Sequence, residues 1–365
     1  GTTNGGTAAA IAANEIDGSD TVSLGIALTT TGANRGIKTT NNDTEAQSNT
    51  VTVTKTGSIT TGTGNNAYGI FNDGAFNTTT VSGSIKTTGK YANGIDNLGD
   101  SNTTTVSGSI TTTGDDGYGI FNDGASNKTT VSGSITTGVV GTNAGEDSTG
   151  IWNYGNDNTT TLTSTGVITV NGPKADGIYN SIGDKNITIV HGSIFVNGNG
   201  VADDYAEGIT NYGDDNETTL SGSITTTGNY AMGIANYGNN NKVTISGTVK
   251  STGAKSGALY NYSGSGNSFT LNEGATIIGD ILAVDEIGTA YDATNSKLIF
   301  NLGASTSYAY SVSGKGEGTT AGQWDFDDLD GRSQVVTTTG TGCDTTMSAG
   351  NDTCNLVTAV GAANA

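Results

Sequence analysis

A short polar phrase with β-branched residues recurs along most of the chain. Its Gly-Ile-x-Asn core, or a close variant, places asparagines at Asn72, Asn97, Asn122, Asn153, Asn180, Asn211, Asn236 and Asn261. A second asparagine follows within a few residues, and an aliphatic residue then comes at a constant offset: Val81, Val106, Val131, Leu162, Val190, Leu220, Ile245 and Leu271. Most steps are 25 residues long, as from Asn72 to Asn97. A fixed period of this length is typical of stacked repeat architectures.

The spacing within each copy predicts strands. Aliphatic residues are separated by even numbers, with Thr, Ser and Gly between them, which is the period of a β-strand rather than of a helix. Three short strands per copy are expected, around Gly-Ile-x-Asn, Thr-Thr-Val and Ser-Ile-Thr-Thr. The predicted fold is all-β: a right-handed parallel β-helix (a β-solenoid) with coils of about 25 residues. Ile120, Val131 and Ile135 should be buried, each stacked on its counterpart one coil away.

The repeat divides the chain into three parts. We expect irregular N-terminal coils over 1–50, regular solenoid repeats over 51–271, and a C-terminal region over 272–365 that continues or caps the solenoid. The third aliphatic position slips by one residue to Val167 in one copy, and the last copy offers only Ala275 at the regular offset. The Gly-Ile phrase is already present at Ile26.

Two copies are longer than the others, and both insertions fall between the Ser-Ile strand and the next Gly-Ile strand. They carry Glu146, Asp147, Asp203, Asp204 and Glu207. Insertions on one side of a solenoid mark a binding face in some repeat proteins, whereas short polar loops are usually only solvated. Both interpretations stay open at this point.

The asparagines predict ladders along the stack. Equivalent residues of neighbouring coils lie about 4.8 Å apart, and an amide can donate and accept along such a column. The structural ladder is predicted at Asn72, Asn97, Asn122, Asn153, Asn180, Asn211 and Asn236. Asn77, Asn102, Asn127, Asn158, Asn186 and Asn216 also match the glycosylation sequon. We favour a structural role for them, because the Thr-rich strand follows the asparagine for pairing reasons.

Aromatic residues suggest an interaction surface. Four rings directly follow the repeated isoleucine: Phe71, Phe121, Trp152 and Tyr179. Four more directly follow the asparagine of the same phrase: Tyr154, Tyr212, Tyr237 and Tyr262. If the isoleucine points inward, the residue after it points outward. A row of exposed rings would suit a glycan, a cell-surface partner or a second copy of the chain. The alternative is an aromatic stack that only stiffens one side.

Composition excludes several functions. The 365 residues carry a formal charge of -20, which argues against nucleic acid and anionic membranes as partners. No apolar run approaches a membrane span, so no direct insertion by this segment is expected. No cofactor motif, metal spacing or catalytic triad is found, and the single histidine, His191, takes a serine position of the repeat. The dense carboxylates, Asp203–Asp204 and the group from Asp325 to Asp330, lack a matching set on neighbouring coils. A non-catalytic protein is expected, with a polysaccharide-acting β-helix enzyme as one alternative.

The end of the repeat region carries a resemblance. "LNEGATIIGDI", "SKLIFNLGASTSYAYSVSG", "WDFDDLDGRSQVV" and "CNLVTAVGAANA" resemble the end of a bacterial autotransporter passenger, and the "SGSITTTG" and "YGIFNDG" units are similar to repeats of that family. The resemblance covers nearly the whole chain. No alternating barrel strands precede Ala365, so a passenger without its outer-membrane barrel is expected.

This resemblance implies an extracellular or outer-membrane location on a Gram-negative bacterium. A surface-displayed or shed structural or adhesive role is expected, and the alternative is a self-assembling subunit of a surface filament or layer. Assembly could be head to tail through open end coils, or lateral through the aromatic residues. In an oxidising setting Cys343 and Cys354 are expected to form a disulfide.

Overall fold

The computed structural model describes residues 16–17, 21–41, 48–141, 144–202, 204–282, 297–301, 307–313, 325–327, 335–339 and 352–359. Regular structure in these residues consists of β-strands, and they contain no helix. The all-β prediction is confirmed.

The strands are short and follow one another in triplets. The first twelve are β1 (Ile16–Asp17), β2 (Thr21–Leu24), β3 (Ala27–Thr29), β4 (Ile37–Thr40), β5 (Thr50–Val53), β6 (Ser58–Thr60), β7 (Ile70–Asp73), β8 (Thr78–Val81), β9 (Ser84–Thr87), β10 (Ile95–Leu98), β11 (Thr103–Val106) and β12 (Ser109–Thr112). The next twelve are β13 (Ile120–Asp123), β14 (Lys128–Val131), β15 (Ser134–Thr137), β16 (Ile151–Asn153), β17 (Thr159–Leu162), β18 (Val167–Val170), β19 (Ile178–Asn180), β20 (Ile187–Val190), β21 (Ser193–Val196), β22 (Ala206–Asn211), β23 (Glu217–Leu220) and β24 (Ser223–Thr226). The last are β25 (Ala231–Asn236), β26 (Lys242–Ile245), β27 (Thr248–Ser251), β28 (Gly257–Asn261), β29 (Ser268–Asn272), β30 (Thr276–Ile278), β31 (Asp280–Leu282), β32 (Lys297–Asn301), β33 (Ser307–Ser313), β34 (Asp325–Asp327), β35 (Val335–Thr339) and β36 (Asp352–Ala359).

From β1 to β31, every third strand belongs to the same sheet. Sheet A runs β1-β4-β7-β10-β13-β16-β19-β22-β25-β28-β31-β33-β36-β35, sheet B runs from β2 to β34, and sheet C runs from β3 to β30. Each strand from β1 to β30 pairs in parallel with the equivalent strand of the neighbouring coil, as in Ile95↔Ile120 and Val106↔Val131. The structure is a β-solenoid with coils of about 26 residues and three strands per coil, matching a right-handed β-helix.

The predicted core register is confirmed. Ile120, Val131 and Ile135 are fully buried, and each aligns with its counterpart one coil earlier. Equivalent aliphatic residues of the other coils form one continuous column along the solenoid axis. A coil therefore needs only a few apolar residues, because its neighbours above and below complete the burial.

Three assignments were wrong in detail. The third inward position of the coil around Leu162 is Ile168, not Val167, and in the last copy Ile277 rather than Ala275 aligns with the preceding valine. In both coils the corner is two residues longer, and an even insertion keeps the aliphatic residue on the inner face. Ile26 is 65% exposed in the corner between β2 and β3, and the equivalent of the Gly-Ile phrase is Ile37, which pairs with Ile70.

Glycine before the repeated isoleucine is favoured by close packing. A Cβ at Gly119 would lie 2.4 Å from the carbonyl oxygen of Gly150 in the next coil and 2.4 Å from Cγ2 of Ile135. A side chain at Gly119 would therefore require the ladder backbone or the core isoleucine to shift, and the last copy carries only alanine, Ala258, at the equivalent position. The Gly-Ile pair thus brings sheet A into contact with the inner face of sheet C.

Strands are also found outside the predicted repeat region, on its N-terminal and its C-terminal side. Strands β1 to β4, N-terminal to residue 51, already lie in the same sheets as the regular repeats. At the other end, β36 pairs antiparallel with both β33 and β35, unlike the parallel pairs before it. Cys354 lies in β36, and Cys343 lies outside the described residues, so the disulfide stays a prediction.

Candidate functional site

The buried residues of the solenoid include polar as well as aliphatic side chains. The asparagines of the Gly-Ile-x-Asn phrase form a continuous ladder among them. Each side-chain Nδ2 donates to Oδ1 of the equivalent residue in the next coil, over 2.7–2.9 Å from Asn72 through Asn97, Asn122, Asn153, Asn180 and Asn211 to Asn236. The second hydrogen of the amide reaches a buried threonine of sheet B, as from Asn122 to Thr129 at 3.2 Å. This ladder fixes where sheet A ends, and with it the corners that follow.

The sequon asparagines form a second ladder at the corner after sheet A. Asn102 Oδ1 accepts the backbone N–H of Asn77 at 2.7 Å, and its Nδ2 donates to the Gly99 carbonyl at 3.0 Å. The side chains are buried, and each Oδ1 accepts the backbone N–H of the equivalent asparagine in the preceding coil. This favours the structural interpretation over glycosylation.

The outer face of sheet A carries a cleft, which we call the corner cleft. It encloses about 350 Å³ and is lined by Asp116, Tyr118, Asp147, Thr149, Trp152, Lys174, Asp176, Tyr179, Asp204, Tyr205, Glu207, Thr210, Tyr212 and Tyr237. Both predicted insertions border it, since they form the corners between β15 and β16 and between β21 and β22. The corner between them, from β18 to β19, is shorter, so a short corner lies between two long ones.

Lys174 in the short corner links the two insertions. Its Nζ lies 2.9 Å from Oε1 of Glu146 in one insertion and 3.3 Å from Oδ2 of Asp204 in the other. Hydrogen bonds to both carboxylates raise the pKa of Lys174. Exposed ion pairs contribute little stability, but a cation shared by two loops holds their relative position. Asp203, the remaining acidic residue of the predicted insertions, lies outside the described residues.

Most of the predicted interaction residues come together in one continuous row, which we call the aromatic strip. It consists of Tyr118, Phe121, Trp152, Tyr154, Tyr179, Tyr212, Tyr237, Tyr260 and Tyr262. Neighbouring ring centroids are 4.6–6.4 Å apart. Trp152 stacks on Tyr179 at 5.3 Å, and Tyr212 stacks on Tyr237 at 5.6 Å. Ring pairs at these separations stabilise each other beyond their area of burial.

The strip is less exposed than the sequence predicts. Tyr154 and Tyr212 are 40% and 52% exposed, whereas Phe121, Trp152, Tyr179, Tyr237 and Tyr262 are only partly exposed. Phe71 is buried, contrary to the expectation of an exposed ring, because Tyr68 stacks on it at 5.4 Å and the Arg35 guanidinium covers it at 3.9 Å. Asp96 separates Phe71 from the strip, since it occupies the equivalent position in the intervening coil.

The column of rings has a gap inside the cleft. Phe121, Trp152 and Tyr179 are aligned after the repeated isoleucine, but the next two coils place Thr210 and Ala235 there, and rings resume at Tyr260. Tyr212 meets Tyr179 at an interplanar angle of 84° rather than stacked. One face of the Tyr179 ring is covered by Trp152, and the ring also belongs to the lining of the cleft.

A pair of buried carboxyl groups lies under this gap. Asp176 and Glu207 occupy equivalent positions of adjacent coils, two residues before the repeated aliphatic residue. Thr210 lies between them: its hydroxyl is 2.9 Å from Oδ2 of Asp176 and also contacts Oε2 of Glu207. The Tyr237 hydroxyl donates to Oε1 of Glu207 at 2.5 Å, and the Glu207 N–H donates to Oδ1 of Asp176 at 2.9 Å.

The surroundings of the pair favour a proton on one of the two carboxyl groups. The single hydroxyl hydrogen of Thr210 can serve only one of its two contacts, and a protonated carboxyl group would satisfy the other. Burial raises the pKa of Asp176, with the Glu207 charge adding to the effect, and burial raises the pKa of Glu207 as well. Asp147 at the rim behaves similarly, since partial burial and then Asp204 raise its pKa to about 6.

Replacing Glu207 by glutamine is expected to flatten the pH dependence of stability. A group whose pKa is raised on folding contributes stability that is fully present below its unfolded pKa, about 4, and is lost as pH rises through the folded pKa. The glutamine amide would donate to Thr210 at every pH and still accept from Tyr237. Thermal unfolding midpoints between pH 4 and pH 8, a range that spans the unfolded pKa of about 4 and the folded pKa of about 7, should fall less steeply for Glu207→Gln than for the wild type.

The matched control is Glu217→Gln, an exposed glutamate 3.6 Å from Lys242. Its pH profile should follow that of the wild type. Parallel profiles for the wild type and Glu207→Gln would contradict a shared proton at the pair.

Sequence reasoning missed the central residues of the cleft. Glu207 was noted only as part of an acidic insertion, and Asp176 and Lys174 were not considered. The dense carboxylates visible in the sequence, Asp203–Asp204 and the group from Asp325 to Asp330, do not include this pair. The signal was available, because Asp176 and Glu207 have the same offset from the repeated aliphatic residues Ile178 and Ile209.

Comparisons with known proteins add no family. The chain matches no protein-family model, no curated protein and no solved structure. The class that fold and site define is thus a β-solenoid repeat protein with an acidic, aromatic cleft on one sheet. Within the described residues no helix has the length and apolar character of a membrane span, and no group of His, Cys, Asp and Glu side chains could hold a metal ion.

Proposed function

We propose that this protein is a non-catalytic, extracellular adhesin of the β-helix type, and that it binds glycans through the aromatic strip. The observation that carries the proposal is the distribution of rings. Only 6% of the residues are aromatic, yet rings from β13 to β28 form one row on the outer face of sheet A. Rings presented beside carboxylates and hydroxyls suit sugars, whose C–H faces stack on rings and whose hydroxyls need acceptors.

The geometry of the carboxyl pair supports binding rather than catalysis. Each of the four oxygens of Asp176 and Glu207 already contacts a donor of the chain, namely the Glu207 N–H, Thr210 or Tyr237. A glycosidase needs one carboxyl group free to protonate the leaving oxygen and another to attack or activate water. This pair instead holds Thr210 and Tyr237 in place, so the enzymatic alternative is the weaker one.

The location follows from the resemblance to autotransporter passengers. A long β-solenoid with a distinct terminal region is the architecture expected for such a passenger, and we place this chain on, or shed from, the surface of a Gram-negative bacterium. In that setting a rigid rod with ligand-binding residues along one side can contact an extended polysaccharide at several points, which multiplies weak affinities.

The adhesion proposal predicts glycan binding that depends on the strip. The purified chain, labelled with biotin, should bind a subset of glycans on an array of neutral, basic and acidic structures. Replacing both Tyr154 and Tyr212 by alanine should weaken that binding about tenfold, because two exposed ring contacts are lost.

The matched control is Phe195→Ala, which removes an exposed ring from sheet C instead. It should leave array binding unchanged. Absence of binding to every glycan, or equal loss in both variants, would contradict the proposal.

Lateral self-association is a second candidate, favoured by the exposed rings of Tyr154 and Tyr212. Sedimentation velocity across a wide concentration range at physiological salt separates the two. A monomer that binds glycans supports the adhesin, whereas concentration-dependent oligomers that the Tyr154 and Tyr212 substitutions abolish would support assembly.

A further inference from the structure

We propose that the corner cleft is a subsite for an amino sugar with a free, protonated amine, with the sugar ring stacked on Tyr179. This rests on the proposed glycan-binding function and specifies the class of sugar. It is drawn from the shape of the cleft, the gap in the aromatic column and the charges of the lining, taken together.

The shape of the cleft suits one or two sugar rings. Its volume of about 350 Å³ lies in the range of pockets that hold small ligands, roughly 300–1,000 Å³. The walls are the two long corners that Lys174 links, so the opening is already formed without a ligand. Preformed sites lose less ordering entropy on binding.

The gap in the aromatic column provides the stacking surface. Thr210 and Ala235 replace rings at the two positions that follow Tyr179, and the Tyr179 face opposite Trp152 has no parallel neighbour. A pyranose placed there would continue the stack in the position of the missing ring. The Tyr212 ring, nearly perpendicular to Tyr179, forms the side of the same space.

The charges of the lining select among sugars. Asp116, Asp147 and Asp204 accompany the buried Asp176–Glu207 pair, and Lys174 is the only cationic side chain of the lining. Lys90 neutralises Asp116 at 3.2 Å, and Lys174 is shared by Glu146 and Asp204. Even with one proton on the buried pair, the negative charges exceed the positive ones. Uronic and sialic acids are therefore disfavoured, and an ammonium group is attracted.

A sugar with a free amine would use both the stacking surface of Tyr179 and the negative charge of the lining. An ammonium group on the stacked ring can approach the rim carboxylates Asp147 and Asp204, and the neighbouring ring faces attract it further. An N-acetyl group at the same position carries no charge and is bulkier, so it loses that attraction.

Calorimetric titration of the full chain tests the assignment. The probes are tetramers of glucosamine, of N-acetylglucosamine and of galacturonic acid, together with spermidine as an amine without a sugar ring. The glucosamine tetramer should bind at least about tenfold more tightly than the N-acetylated one, as expected for one charge-assisted hydrogen bond. The galacturonic acid tetramer should not bind, and added salt should weaken glucosamine binding.

Variants locate the subsite. Tyr179→Leu should reduce glucosamine binding about tenfold, and Asp147→Asn should reduce both that binding and its salt dependence. The matched control is Phe195→Leu, which changes an exposed ring of sheet C outside both the strip and the lining of the cleft, and which should bind like the wild type. Near-ultraviolet and far-ultraviolet circular dichroism of each variant confirms that it is folded.

The possible failures are distinguishable. Equal affinity for the two glucosamine-based tetramers would overturn the amine but leave glycan adhesion intact. Spermidine binding as tightly as the glucosamine tetramer would show recognition of charge alone and overturn the sugar. Wild-type binding in Tyr179→Leu, or equal loss in Tyr179→Leu and Phe195→Leu, would overturn the assignment of the subsite to this cleft. No binding of any sugar here or on the array would overturn both proposals.

Discussion

Replacing Val131 by aspartate is expected to unfold the coils around it and to lower the free energy of unfolding by about 3–5 kcal/mol. Val131 is fully buried between Val106 of one neighbouring coil and Leu162 of the other. A carboxylate there loses its hydration and meets the aliphatic side chains of Val106 and Leu162 instead of hydrogen-bond donors. Because each coil is the template for the next, the damage should extend along the stack.

Urea unfolding followed by circular dichroism measures the effect. The matched control is Thr130→Asp, which places the same charge one residue earlier, on the outer face of the same strand. The strand period of two predicts that this variant retains nearly the wild-type midpoint. Equal midpoints for the two variants would mean that the register proposed for sheet B is wrong.

The regular part of the fold is predictable because one physical constraint is repeated. Aliphatic residues at even spacing must face inward in every coil, and glycine precedes the repeated isoleucine in the regular copies, so each copy tests the same register. Prediction failed where a corner changed length. Spacing counted along the chain from Leu162 favours Val167 as the third inward residue. In the structure Ile168 faces inward instead, because the corner is two residues longer and the side-chain alternation of the strand is kept.

The cleft was only half predictable. The insertions and the rings are visible in the sequence, but their meeting depends on which side chains the outer face of sheet A brings together. Phe71 and Phe121 have the same place in the repeat, yet Arg35 and Tyr68 cover the first ring. The proton shared by Asp176 and Glu207 depends on contacts with Thr210 and Tyr237 that come from two further positions of the repeat. Contacts between coils of this kind can be predicted only when the strand register between the coils is already known.

Replacing Asn122 by aspartate is the second substitution expected to be severe, and its effect should depend on pH. Asn122 is fully buried; its Oδ1 accepts from Asn97 Nδ2 at 2.8 Å, and its Nδ2 donates to Asn153 Oδ1 at 2.8 Å. An aspartate keeps the acceptor but turns a second oxygen toward Asn153 Oδ1, and it buries a charge. The cost should be about 3 kcal/mol or more at neutral pH, as for an unpaired buried charge.

Acid should rescue this variant. Burial would raise the pKa of the new carboxyl group above its unfolded value, so the destabilisation is present at neutral pH and fades as pH falls, when the protonated carboxyl group can again donate to Asn153. The matched control is Asn156→Asp, an exposed corner position where Oδ1 only accepts the Asp184 N–H at 2.9 Å, and where aspartate should be tolerated at every pH. Urea midpoints of both variants and the wild type at pH 4 and pH 7 give the comparison. The difference in urea midpoint between Asn122→Asp and the wild type should be smaller at pH 4, because only the buried ladder requires a hydrogen at that position. The same difference at both pH values would mean that hydrogen bonding along the asparagine column does not hold the coils together.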